Sequence, residues 1–225
     1  MKRVISILIT TLFMLTLASC SAQDNTTFSE TEEKTTTVQK TTKKAENKSE
    51  NKILTVYFSA GNSSNADAVS SATPKLGDKY VTEYIATQIN DKVGGDIEPV
   101  VPEEDYPKDY NDTADKAKDE NEKNARPKFT LKTNPEDYDV IFIGYPIWWY
   151  EMPMIMDTFF DEYDFSEKTI IPFNTHEGSG DGGTYDDIKK LEPKANVLDG
   201  FNIQGSSGKS EIDSGVKDWL NGLKF

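Results

Sequence analysis

The chain has 225 residues and a net charge of −14, from 25 Lys and Arg against 39 Asp and Glu, with one Cys and one His. That length suits one main domain, and the lone Cys and lone His exclude both an internal disulfide framework and a Cys/His metal cluster. The acidity argues against nucleic acid as a partner, because phosphate backbones select clustered Lys and Arg.

The charge is unevenly spread. Residues 1–51 carry seven cations and six anions, so residues 52–225, with 18 cations and 33 anions, carry −15. Two kinds of polymer meet near Asn51.

Residues 1–20 read as an address. Lys2 and Arg3 precede an apolar run over 4–17 and then Leu17-Ala18-Ser19-Cys20, the layout of a secretory signal with small residues before the cut. The run is shorter than the ~20 residues needed to span a bilayer. Leu-Ala-Ser-Cys also resembles the lipobox of bacterial lipoproteins. The resemblance implies that Cys20 is acylated, becomes the mature N-terminus and is the only link to a membrane, which places the domain outside the cytoplasm. Residues 21–51 are rich in Thr, Ser, Lys and Glu, with no apolar period. Such a segment cannot offset its ordering entropy and is expected to be a disordered tether.

From residue 52 onward, strand and helix patterns alternate. A β-branched apolar run over 53–58 predicts a buried strand. Helical spacing of Val81, Tyr84, Ile85, Ile89 and Val93 predicts a helix over 80–93, stopped by Gly94-Gly95. Further strands are expected over 96–101, 139–144, 169–173 and 196–203. Further helices are expected over 154–163, 185–191 and 210–223. The charged stretch 103–127 has few apolar side chains, and its residues 112–124 could form an exposed helix. This alternation implies right-handed βαβ units and a five-stranded parallel sheet in a three-layer, doubly wound α/β fold. Ligands in such folds sit beyond the carboxyl ends of the strands, where strand order reverses.

Three strand-end loops share one chemistry. Ser59-Ala60-Gly61-Asn62, small and polar ahead of a helix, favours a phosphate. Pro146-Ile147-Trp148-Trp149-Tyr150 carries large aromatics. Some of them are expected in the core, and the others offer a face to a flat apolar partner. In the loop over 174–183, with Thr175, His176, Glu177, Gly178, Ser179 and Gly180, the glycines let the backbone approach a ligand and the hydroxyls can hydrogen-bond to it. His176 lacks a Ser or Cys partner in any recognisable catalytic motif, so no catalytic residue is assigned.

At this point the chain resembles the flavodoxins. Tyr57-Phe58-Ser59 followed by Gly-Asn looks like their phosphate loop. Residues 137–149, 163–165 and 168–173 are similar to a subfamily of bacterial flavodoxin-like proteins, and the resemblance covers residues 52–225. It implies sheet order 2-1-3-4-5, an FMN cofactor and electron shuttling to redox partner proteins, whose surfaces would be basic to match the acidic domain. Glu151 and Glu177 would disfavour added negative charge on the flavin. A flavin-dependent reductase of quinones with a nicotinamide donor, and a binding lipoprotein that has lost tight flavin affinity, are the alternatives.

One departure motivates the last of these. Flavodoxins run Gly-Asn-Thr straight into the first helix, whereas here residues 65–76 intervene and Gly77-Asp78-Lys79 meets that helix. The phosphate loop is thus expected to be split. Asp78 would repel a phosphate unless it caps the helix or turns away, and Lys79 would offset it.

Overall fold

The computed structural model describes residues 51–60 and 75–225. The signal and tether readings over 1–50, Cys20 included, lie outside the described residues, as do Gly61 and Asn62. Among the described residues no helix is long and apolar enough to cross a membrane.

The elements run β1 (Ile53–Tyr57), α1 (Val81–Val93), β2 (Asp96–Pro99), β3 (Val101–Pro102), α2 (Tyr110–Glu122), β4 (Phe129–Thr130), β5 (Val140–Pro146), α3 (Met154–Glu162), β6 (Thr169–His176), α4 (Thr184–Leu191), β7 (Asn196–Val197), β8 (Phe201–Gln204) and α5 (Lys209–Gly222). The main sheet is parallel in the order β2-β1-β5-β6-β7, with β8 also on β6. This is the expected 2-1-3-4-5 order with its fifth strand broken in two. β7 pairs with the start of β6, and β8 pairs with its end.

Side-chain alternation along β5 sends Ile141, Ile143 and Tyr145 to one face and Val140 and Phe142 to the other, as the period of two demands. The first face is covered by Ile155, Phe159 and Phe160 of α3 and Ile188 of α4. The second is covered by Val81, Ile85 and Ile89 of α1 and Ile212, Val216 and Leu220 of α5. β5 is buried along its whole length, as a central parallel strand between two helix layers must be.

The expected strand over 96–101 stops at Pro99. Val101 and Pro102 leave the main sheet to pair antiparallel with β4. Between them lies α2, capped by Asp109, whose carboxylate accepts from the backbone N–H groups of Asn111 and Asp112. The helix is not simply exposed. Thr113, Ala114 and Ala117 are buried, because small side chains let a polar helix approach the core closely, and Glu120 is buried where its carboxylate accepts from the Tyr106 hydroxyl at 3.0 Å. Tyr106, just before it, is also buried and lies edge-on to Phe58 and Trp148, with centroids 5.7 and 5.1 Å away.

Candidate functional site

The carboxyl ends of β1, β5 and β6 lie side by side, with Tyr57 opposite Gly144 and Pro146 opposite Thr175. Strand order reverses between β1 and β5. A cavity of about 550 Å³ opens in this region, lined by Tyr110, Asn111, Ala114 and Asp115 of α2, by Ile147, Trp149 and Tyr150, and by Glu177, Gly178 and Ser179. Its size falls within the range of small-molecule and cofactor sites, roughly 300–1,000 Å³.

The aromatic wall is a tight turn. Trp148 and Glu151 exchange both backbone hydrogen bonds, at 2.9 and 3.0 Å. The two residues between them, Trp149 and Tyr150, have φ of 52° and 69°. Two positive φ angles make this a type I′ geometry, which glycine and asparagine normally supply. Here it carries two bulky aromatics, so the backbone holds them at a cost of about 1–3 kcal/mol each. Both are presented outward, Trp149 47% exposed and Tyr150 72% exposed.

The third aromatic, Trp148, points the other way. It is buried, and its ring lies 5.4 Å from that of Phe58 at 79°. Of the expected aromatic face, Trp149 and Tyr150 reach the cavity, and Trp148 belongs to the core beneath it. Pro146 is buried at the end of β5. Ile147 lines the cavity floor, with its backbone N–H donating to the Thr175 carbonyl at 2.8 Å.

The opposite wall is the glycine-rich loop. Gly178, Gly180, Gly182 and Gly183 all have positive φ. At Gly182 the requirement is steric as well, since a Cβ would come within 2.5 Å of the Tyr150 carbonyl oxygen. The two walls therefore touch backbone to backbone. Asn174 Nδ2 donates to the Gly180 carbonyl at 3.1 Å, and Thr184 Oγ1 donates to the Asp181 carbonyl at 2.7 Å. The buried Tyr145 hydroxyl, its pKa pushed up by burial, supports Thr184 from below at 2.9 Å.

His176 is half-buried. Its Nδ1 accepts from the Gly178 backbone N–H at 2.9 Å, and burial lowers its pKa. Through that bond it braces the loop. Thr175 is fully buried, with its hydroxyl 2.8 Å from that of Thr82 at the start of α1, and it ties the strand end to that helix. Ser59 and Ala60 are buried at the end of β1.

Gly77, Asp78 and Lys79 are not among the residues lining this cavity. Leu76 and Lys79 bridge a two-residue turn, with Gly77 at φ 72°. Asp78 is exposed at its tip and does not cap α1, whose N-cap is Tyr80. The Lys79 ammonium is committed to Glu83 at 3.0 Å.

Sequence reasoning missed the α2 wall. The usable signal was Asp109-Tyr110-Asn111-Asp112, a capping aspartate with acid in the first turn, followed by alanines at helical spacing. Glu177 was expected to act only through its charge. In the structure its Oε2 accepts from Ser206 Oγ at 2.9 Å and Gln204 Nε2 at 3.2 Å. Its Oε1 and the Ser179 Oγ are buried with no hydrogen-bond partner among the described residues. Among the described residues no group of His, Cys, Asp and Glu could hold a metal ion.

A doubly wound α/β fold with an aromatic turn, a glycine-rich strip and a cavity at the switch point is the architecture of the ligand-binding α/β proteins. The family model for flavodoxin matches residues 52–223, and the chain belongs to that family. Among solved structures, a presumed flavoprotein from Bacteroides eggerthii is 30% identical, with 77% of this chain and 99% of that chain covered and a TM-score of 0.59. A second, from Bacteroides uniformis, is 28% identical over 76% and 98%, with a TM-score of 0.60. A flavoprotein from Lactobacillus acidophilus, solved in complex with FMN, shares the fold at 21% identity over 73% and 98%, with a TM-score of 0.53. No curated protein matches.

Proposed function

We propose that this chain is an FMN-binding flavodoxin that transfers electrons outside the cytoplasm while tethered to a membrane through a lipid on Cys20. The observation that carries the cofactor is the cavity itself. It sits at the switch point of a flavodoxin sheet, walled by two outward aromatics on one side and by glycines on the other.

The residues present fit the group. Trp149 and Tyr150 offer apolar area to a planar ring, and their strained turn presents both without burying either. Gly178 and Gly180 leave no side chain between the loop backbone and the cavity. Glu177 and Asp115 make the lining acidic, which is hostile to a phosphate. The phosphate end is therefore assigned to the carboxyl end of β1, at Ser59 and Ala60. When bound, FMN supplies one- and two-electron transfer.

The protein's own contribution is electrostatic and steric. The two carboxylates disfavour added negative charge at the ring, which favours donation of electrons over their retention. The half-open wall at Tyr150 leaves an edge for contact with a partner. The −15 of residues 52–225 steers basic redox proteins to that edge, with association rates that fall as salt rises. The Leu17-Ala18-Ser19-Cys20 motif supports the lipid anchor.

Titration of the full chain with FMN, followed by visible absorbance, tests the cofactor. Quenched, red-shifted flavin bands at one equivalent are expected, and an unchanged free-flavin spectrum refutes the reading. Cys20→Ser is expected to release the protein from the membrane fraction.

A further inference from the structure

We infer that Trp148, Tyr106 and Glu120 form a relay that draws an oxidising equivalent away from the cavity, an electron passing from Tyr106 to oxidised Trp148 while the Tyr106 phenolic proton passes to Glu120. The inference takes its oxidant from the flavin reading and goes beyond it in giving these buried residues an activity.

A chain of contacts carries it. Trp148 is buried beneath the cavity, between Ile147 and Trp149, both of which line it. Its ring lies edge-on to that of Tyr106, with centroids 5.1 Å apart, and Phe58 closes the cluster at 5.4 Å from Trp148 and 5.7 Å from Tyr106. The Tyr106 hydroxyl donates to Glu120 Oε2 at 3.0 Å. The Lys116 ammonium lies 3.9 Å from Glu120 Oε1 and 4.5 Å from the centre of the Tyr106 ring. Glu120 and Lys116 also line a second cavity, of about 430 Å³, with the exposed Glu103, Glu104, Arg126 and Lys128 around it.

Packing alone does not call for this set. A phenylalanine at 106 and an apolar residue at 120 would fill the same space without taking a carboxylate out of water, which is costly. Glu120 is only 7% exposed. What the hydroxyl and the carboxylate add is a path for a proton. A phenol that loses an electron becomes a strong acid, and in the interior it reaches a neutral radical only where a base stands within hydrogen-bond reach. Burial raises the pKa of Glu120, which makes its carboxylate a better acceptor, and Lys116 favours its ionised form. The same ammonium, over the ring, disfavours positive charge left there, so electron and proton leave together.

The step balances. A one-electron oxidant at the cavity, the photoexcited flavin in the flavin reading, takes one electron from Trp148. Trp148 takes one from Tyr106, and the proton on Tyr106 Oη moves to Glu120 Oε2. The oxidant has then gained one electron, Trp148 is restored, and Tyr106 is left as a neutral radical. When Tyr106 regains an electron, Glu120 returns the proton.

Laser-flash absorption on the FMN-loaded full chain tests the relay, with the parent protein, Tyr106→Phe and Glu120→Gln compared. The parent is expected to show a tryptophan radical that gives way to a neutral tyrosyl radical. Tyr106→Phe is expected to lose the tyrosyl signal and keep a longer-lived tryptophan radical. Glu120→Gln is expected to slow tyrosyl formation about a hundredfold. Thermal unfolding of each variant confirms that it is folded. A tyrosyl signal undiminished in Tyr106→Phe, or formed as fast in Glu120→Gln, overturns the inference and leaves the FMN reading standing. So does the absence of any protein radical in the FMN-loaded parent. If the chain binds no FMN, the flavin reading fails, and the same proteins are flashed with a soluble ruthenium(III) polypyridyl as the oxidant. The two variants then decide the relay by the same differences.

Discussion

The indole Nε1–H of Trp149 donates to the backbone carbonyl of Ala114 at 2.9 Å. This bond joins the aromatic turn after β5 to the helix α2, two elements separated in sequence by β4 and β5. Lys118, one turn further along α2, places its ammonium 5.9 Å from the centre of the same ring. The aromatic turn is thus latched to α2, a further side of the cavity.

Trp149→Phe tests the latch. Phenylalanine keeps a ring at the turn and removes the donor. The expected result is an FMN affinity lowered by about threefold to tenfold, the worth of one hydrogen bond of roughly 0.5–1.5 kcal/mol. Fluorescence titration measures it. An affinity equal to that of the parent chain shows that the latch does not position the turn.

Tyr150→Gly separates stability from binding. Glycine adopts φ near 69° without strain, so the ligand-free protein is expected to gain about 1 kcal/mol in urea unfolding. The same change removes the most exposed aromatic of the cavity wall, so FMN affinity is expected to fall. Loss of both stability and affinity would mean that Tyr150 packs the loop.

Gly182→Ala acts in the opposite sense. The added methyl meets the Tyr150 carbonyl at 2.5 Å, with φ at 61°. One wall must move away from the other. A loss of about 1–3 kcal/mol in unfolding free energy is expected, with weakened flavin binding. Calorimetry with and without FMN checks both. Gly94→Ala, at φ 77° with open space around the new Cβ and outside the cavity lining, is the control for backbone strain alone.

The acidic face beside α3 sets a pH dependence. Burial raises the pKa of Asp157 from 3.8 to about 6, against the lowering effect of Arg126 and with the help of Asp161 and Glu151. Burial, with Asp164 and Asp161 nearby, raises Glu192 from 4.5 to about 7. A carboxyl with a raised folded-state pKa holds its proton more tightly in the native state than in the unfolded one. Its stabilising contribution is full below about 3.8 or 4.5 and is lost as pH rises through about 6 or 7. Asp157→Asn and Glu192→Gln are expected to raise the melting temperature at pH 7.5 and leave it nearly unchanged at pH 4.5. Both sites are partly solvated, so each gain is held to about 1 kcal/mol, or about 2–4 °C. A larger gain at pH 4.5 than at pH 7.5 would reverse the sign and refute the cause.

Much of the fold was legible because its signals are local. The run 139–144, apolar at every position after Asp139, reads as a central strand because a strand covered by helices on both faces has no polar side. The spacing of Val81, Ile85 and Ile89 reads as a helix because one face must meet the sheet. Breaks were less legible. Pro99 and Gly200 interrupt strands whose apolar pattern runs on. At Gly200 a Cβ would meet the Tyr185 ring, so the interruption is decided by a neighbour from another element.

The site divides in the same way. That three strand-end loops carry small, aromatic and glycine-rich chemistry was legible from the sequence, because residue types and strand ends are both properties of the local chain. The sequence could not say which of Trp148, Trp149 and Tyr150 faces the ligand side. Two consecutive positive φ angles turn the chain so that Trp148 enters the core against Phe58 and Tyr106 while its neighbours face out. Nor could it place α2 across the cavity or leave one oxygen of Glu177 without a partner among the described residues. Those outcomes depend on which distant groups arrive within hydrogen-bond reach, and only the packed sheet with its crossover connections brings them together.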